Sequence, residues 1–325
     1  MSKRNLTQVL LAIAALGAGL LHSAGHAQSG ERIAVFTKNQ TNPYFQAVRL
    51  GADSAAKQMG ARLTHYVPTK PDSIPEQMSQ VEDVIVKKPD AIVFIPVDYK
   101  AMVPGVQKIN AAKIPVVNVT DRSEGGEFVA FVGASDYELG VETAKHLFNA
   151  MGGKGNVVVL EGVKGSLTNV DRVRGLTDAV KAFPGIKVVA SQPANYQRLQ
   201  ALQVMENLMQ TYPQIGGVFA ANDAMAAGAI EALDGANRKA LVVGINGTKE
   251  AIDAIKAGKM LATGDYNGFL QGCIGTMTAI RQLRKLPVNT NVVFPATVVD
   301  KSNYQPLDVA VETRSCPKWE DVVKK

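Results

Sequence analysis

The chain has 325 residues, with 35 basic against 29 acidic side chains, a formal charge of +6 and 46% hydrophobic residues. So mild a positive balance, with Lys and Arg scattered and no basic run interleaved with aromatics, argues against a nucleic acid partner. A chain of this length exceeds what one hydrophobic core usually organises, which points to two lobes.

At the amino end, Lys3 and Arg4 precede an apolar run over 9–21 and then Ser23-Ala24-Gly25-His26-Ala27. That is the pattern of a secretory signal peptide, and the small residues Gly25 and Ala27 place its cleavage after Ala27. The run falls short of the ~20 apolar residues that span a bilayer, so the expectation is a soluble secreted chain rather than an anchored one. No cysteine near the cleavage point offers a thiol for a lipid, and a free protein in a Gram-negative periplasm fits best. Cys273 and Cys316 could pair in that oxidising space, but their separation in sequence leaves their distance in the fold open.

Along the mature chain, apolar and often β-branched runs predict strands at 32–36, 62–66, 91–95, 115–119, 128–132, 156–160, 187–190, 217–220, 241–245 and 261–263. Amphipathic helical stretches lie between them, the alternation of βαβ units on parallel sheets. Most of these runs are continuously hydrophobic, as expected where helices cover both sheet faces. A weak internal repeat supports two Rossmann-like lobes. Val81-Glu82-Asp83, Pro89 and Asp98 are echoed by Val204-Met205-Glu206, Pro213 and Asp223 at matching places in a helix, a strand and the turn after it.

Polar residues interrupt this pattern just past the predicted strands. Asn42 follows the first; Asp98 follows 91–95; Asp121 and Arg122 follow 115–119; Asn222 and Asp223 follow 217–220; Asn246 follows 241–245; Asp265 follows 261–263. Open α/β sheets bind ligands at the carboxyl ends of their strands, so this set predicts a cleft between the lobes. Asn both donates to and accepts from hydroxyls, Asp accepts, and Arg donates from a rigid fork, which together suit a neutral polyhydroxy ligand. Tyr44, Phe45, Tyr196 and Tyr266 could lie flat against the apolar faces of a sugar ring.

Plainer readings stand beside these. Asn42 before Pro43 also has the form of a helix N-cap. Asp98 and Asp223 could merely cap helices, the favoured reading for Asp98. Asp121-Arg122 could be a surface ion pair, Arg172 could be solvated, and one of Tyr44 and Phe45 could belong to the core.

Read together, Asn42-Pro43-Tyr44-Phe45, Pro115-Val116-Val117 leading to Asp121-Arg122, Val188 to Ala194, Val218-Phe219-Ala220-Ala221-Asn222-Asp223 and Val243-Gly244-Ile245-Asn246-Gly247-Thr248 resemble the ribose-binding protein branch of the bacterial periplasmic sugar-binding proteins. The resemblance runs from about Arg32 to Leu286. It implies two α/β lobes with parallel sheets joined by a three-segment hinge near Ser135, Asp265 and Pro295. The first lobe would comprise 28–135 plus 266–297 and the second 136–265 plus 298–325. It further implies a sugar or polyol buried between the lobes, the permease of an ABC importer as partner, and a monomer without a cofactor.

By the same resemblance, Asn42, Tyr44, Phe45, Asp121 and Arg122 line the first-lobe side, and Arg172, Tyr196, Asn222 and Asn246 the second, with Asp265 and Tyr266 at the hinge. Departures shape the ligand: Asn246 stands where ribose binders carry an aspartate, Ile95 where they carry an asparagine, and Tyr266 where they carry a glutamine. Lys38 and Lys164 beside the two arginines would suit an acidic sugar if unpaired, although such lysines more often stay solvated.

Three rivals are weaker. After loss of the leader only His65 and His146 remain, with no nucleophile partner or metal-ligand spacing in the sequence, so an enzyme is not the expectation. Gly152-Gly153-Lys154-Gly155 precedes a strand and reads as a turn rather than a phosphate loop. A sugar-responsive repressor would need a DNA-binding helix-turn-helix where this chain carries an export signal.

Overall fold

The computed structural model describes residues 30–323, so the expected export signal over 1–27 lies outside the described residues. In the first half, β1 (Arg32–Phe36), β2 (Arg62–Tyr66), β3 (Ala91–Phe94), β4 (Val116–Thr120) and β5 (Ala130–Ala134) form a parallel sheet, joined by β11 (Asn291–Phe294). The second sheet holds β6 (Lys154–Glu161), β7 (Gly185–Pro193), β8 (Gly217–Ala220), β9 (Leu241–Ile245), β10 (Ala262–Asp265) and β12 (Thr297–Asp300). Strand orders are β11-β5-β4-β3-β1-β2 and β12-β10-β9-β8-β6-β7, one pattern used twice. Only the last strand differs: β11 runs parallel to β5, whereas β12 runs antiparallel to β10.

Helices cover both faces of each sheet, which is why β3, β4 and β8 are buried at every residue. Around the first sheet lie α1 (Pro43–Met59), α2 (Ile74–Lys87), α3 (Val103–Ala111) and α9 (Gly268–Leu283). Around the second lie α4 (Asp136–Ala150), α5 (Leu167–Val180), α6 (Arg198–Thr211), α7 (Asp223–Gly235) and α8 (Lys249–Lys256). Their starts are written locally. Ser73, Ser135, Ser166, Asn222 and Thr248 each accept a first-turn amide through the side chain. The α1 and α9 backbones touch because Gly51 and Gly272 face each other's chain; a Cβ on either would collide with Phe269 O or Val48 O.

Two strands fall outside the sequence pattern, β11 and β12. Both are four-residue edge strands with alternating or partial burial, so neither shows the continuous apolar run of the interior strands. Gly152 and Gly153 form a turn at positive φ, and β6 begins at Lys154, so Gly155, also at positive φ, lies within the strand.

The chain passes between the sheets at three places: from β5 into α4, from β10 through Tyr266 and Asn267 into α9, and from β11 through Pro295 and Ala296 into β12. The run after Val298 is not confined to the second lobe. Cys316 is disulfide-bonded to Cys273 of α9, and Trp319 at the start of α10 (Trp319–Val322) lies under the Arg281 guanidinium. No described helix is long and apolar enough to cross a membrane.

Candidate functional site

Loops at the carboxyl ends of β1, β3 and β4 meet those of β6, β7, β8 and β9 around one cavity of about 110 Å³. One water needs roughly 10–15 Å³ on that measure, so the space fits a small molecule. Asn42, Tyr44, Phe45 and Asp121 line it from the first lobe, Arg172, Tyr196, Asn222 and Asn246 from the second, and Tyr266 from the hinge.

Two expected residues are elsewhere. Arg122 is exposed; its guanidinium lies 3.8 Å from the Phe131 ring centroid and donates to Asn291 Oδ1 at 2.7 Å. β4 ends at Thr120, whose φ of 62° bends the chain, and just beyond it Asp121 is buried while Arg122 is exposed. Asp265 lines a separate cavity on the other side of Tyr44 and Asn246, accepts the Asn267 amide at 2.8 Å and shapes the hinge turn.

The cation beside Asp121 is Lys38, whose Nζ lies 2.7 Å from Oδ2, while the other carboxylate oxygen accepts from Thr168 Oγ1 of the opposite lobe. Asp121 therefore ties the lobes together in this closed arrangement. Burial works against the Lys38 ammonium, but the charges of Asp121 and Asp72 outweigh it and raise its pKa. Lys164, by contrast, is exposed at the rim.

Arg172 is 2% exposed, against the solvated reading, and its donors are spoken for on three sides. It donates to Asp136 Oδ1 at 2.8 Å, to Ala221 O at 2.6 Å and to Tyr266 OH at 2.9 Å. Burial disfavours its charge, and Asp136 with the neighbouring tyrosines more than restores it, so Arg172 stays protonated. For Asp136, burial outweighs the help of Arg172 and pushes the carboxyl up to about 6.

Aromatic walls complete the cavity. The Tyr44 and Tyr266 rings stack with centroids 4.7 Å apart, and Phe45 meets Tyr44 edge-on at 5.3 Å. Tyr44 OH lies 3.0 Å from Thr120 Oγ1, which donates to Gln271 Oε1 at 2.9 Å; Gln271 Nε2 donates to Tyr266 O at 2.8 Å. This chain fixes both rings. Burial holds the phenols protonated, with Tyr196 pushed up to about 12.

The capping and binding readings of the asparagines are not exclusive. Asn42 accepts the Tyr44 amide at 3.0 Å and Asn222 the Met225 amide at 2.9 Å, and both still face the cavity. Asp98 caps no helix: it accepts the Lys100 and Ala101 amides in the turn before α3, whose N-cap is Met102, and it lines the cavity. Asn246 is different: it is 5% exposed, sits at φ 147°, and its Oδ1 has no donor. Buried acceptors are almost always satisfied, and strained backbone clusters at ligand sites.

Sequence reasoning missed Asp72, Asp136, Ser166 and Thr168. Thr168 stands four residues before Arg172 on α5 and shares its face, a spacing that could have found it. Asp136 looks like an ordinary first-turn acid and carries no signal, whereas Asp72 lies in the loop after β2, as far past that strand as Asn42 lies past β1, a placement that could have found it. Among the described residues no group of three or more His, Cys, Asp or Glu is placed to hold a metal ion.

Comparison with known proteins identifies the family and the fold. A family profile described as "Periplasmic binding protein domain" matches residues 33–286. The chain is 31% identical to a xylitol-binding protein of Mycolicibacterium smegmatis, over 95% of this chain and 89% of that one. It is 34% identical to a ribose import binding protein of Bacillus subtilis, over 78% and 82%. An ABC transporter periplasmic solute binding protein from Actinobacillus succinogenes, solved with D-allose bound, superposes with a TM-score of 0.81 at 37% identity, covering 85% of this chain and 99% of that one.

Proposed function

Because this chain belongs to the periplasmic binding protein family, we propose that it is the solute-binding component of an ABC importer and takes a neutral monosaccharide or polyol into the interlobe cavity. One observation carries the reading: the buried cations Lys38 and Arg172 are already paired by Asp121 and Asp136, while the Asn246 carbonyl oxygen has no donor. A ligand hydroxyl supplies that donor, whereas an acidic sugar would find no unpaired buried cation waiting for it. The relatives named above carry xylitol, ribose and D-allose in their descriptions, all within this class.

The ligand is bound, not converted. It lies between Tyr44, Phe45, Tyr196 and Tyr266 and hydrogen-bonds to Asn42 and Asp121 on one side and to Arg172, Asn222 and Asn246 on the other. Contacts made from both lobes exist only when the lobes are together, so the ligand favours the closed population. The hinge segments at Ser135, Asp265 to Asn267 and Pro295 absorb the rotation. The closed form is then what the membrane permease recognises, after export of the chain to the periplasm.

A thermal-shift and calorimetric screen of D-allose, ribose, xylitol and sugar acids against chain 28–325 tests this. At least one neutral polyhydroxy compound should stabilise the protein with one-to-one stoichiometry. A screen in which only sugar acids bind would overturn the neutral-ligand reading.

A further inference from the structure

The chain beyond β12 makes a fourth passage between the lobes. Asp308 is held on the second lobe by Lys256 Nζ at 2.7 Å and Lys249 Nζ at 3.4 Å, both from α8. Eight residues later, Cys316 is bonded to Cys273 of α9 on the first lobe, and its amide donates to Ser54 Oγ of α1 at 3.3 Å. We propose that the segment from Asp308 to Cys316 is a strap that restrains opening of the cleft, with the disulfide as its fixed end.

The anchors sit where opening moves them apart. Lys249 is the first residue of α8 and Pro43 the first of α1, and both helices start from loops that face the ligand cavity. Separating the lobes draws α8 away from α1, against which the turn Val311–Thr313 packs. An eight-residue segment spans at most roughly 26–29 Å when fully extended. Arg314 shortens it further by donating back to Leu307 O at 3.0 Å and Val309 O at 3.4 Å. The exposed ion pairs at Asp308 are the end that yields first.

The bond also closes a covalent ring. The two cysteines are separated by 43 positions in sequence, and the chain between them runs from α9 through β11 in the first lobe to β12 in the second and back along the strap. One ring therefore crosses the lobe junction twice. The strap lies close to the ligand as well: Val311 and Arg314 wall the second cavity, which shares Tyr44 and Asn246 with the first.

The inference rests on lobe closure, and its test reads opening without any ligand. Six Gly/Ser residues inserted between Val309 and Ala310 add roughly 20 Å of slack while keeping the disulfide. Small-angle scattering of the ligand-free protein should then show a larger radius of gyration than the parent. Emission of Trp319, the chain's one tryptophan, should stay unchanged, because its anchor on α9 is intact. Cys273→Ser/Cys316→Ser should also expand, now with red-shifted Trp319 emission. If the insertion variant fails to fold, Lys249→Gln/Lys256→Gln frees the same end of the strap at constant length. A released strap with the parent's radius of gyration overturns the proposal. Expansion of the insertion variant but not of the double serine variant overturns the role of the disulfide.

Discussion

Replacing Asn246 by glycine should raise the stability of the ligand-free protein and lower its affinity for ligand. The side chain pays twice in the empty protein, for a buried acceptor without a donor and for a backbone at φ 147° that L residues rarely adopt. An unsatisfied buried acceptor costs about 1–3 kcal/mol, and strained backbone of this kind costs about 1–3 kcal/mol. Glycine gives back about 0.5–1 kcal/mol in unfolded-state freedom, and some packing is lost. A net gain of about 1–2 kcal/mol corresponds to a Tm increase of about 2–3 °C for a chain of this length. The backbone bond from Asn246 N to Gly264 O at 2.7 Å survives the change. On binding, the lost hydrogen bond to a ligand hydroxyl is worth about 1 kcal/mol, a Kd about fivefold higher. Urea denaturation without ligand and calorimetry with the screened sugar read the two effects separately. A destabilised variant with unchanged Kd would refute the reasoning, because Asn246 would then be serving the fold alone.

Thr168→Val removes the bond that Asp121 makes across the cleft; with a charged acceptor worth about 1.5–3 kcal/mol, Kd should rise about 10- to 100-fold in calorimetry. Arg122→Ala should leave Kd unchanged, since its partners are Phe131 and Asn291 outside the cavity. Asp223 is buried with its carboxyl pushed up to about 6 from 3.8, eased by Thr263 and Thr248. The folded state thus binds this proton more tightly than the unfolded chain, and the resulting stability, on the order of 3 kcal/mol, is full below pH 3.8 and lost as pH rises through about 6. In urea titrations the Asp223→Asn variant should show a flatter pH dependence than the parent between pH 4 and 6. The Cys273→Ser/Cys316→Ser variant should lose about 4 kcal/mol of stability for a loop of this length, read from the same titrations.

Interior strands and helix starts were legible because their causes are local. β1, β8 and β9 are continuous apolar runs wherever helices cover both faces, and the predicted bounds match them residue for residue. Strand ends then announce cavity residues, since a polar side chain after such a run stands at the mouth of the sheet. The same logic misjudged Arg122, because the chain bends at Thr120, where φ is 62°, and nothing in Asp121-Arg122 records that only the first of the two is buried. It also passed over β11 and β12, whose exposed edges carry no continuous apolar signal.

The order of apolar and polar residues was enough to determine two parallel-sheet lobes, because periodicity and capping act within a few residues, and the resemblance of its motifs pointed to the family. Only the folded chain decided the partners of the charges: Lys38 rather than Arg122 beside Asp121, Asp136 on Arg172, and Cys316 on Cys273. Those pairings join residues 83, 36 and 43 positions apart. Their distances follow from how helices and sheets pack, a property of the whole that no local spacing encodes.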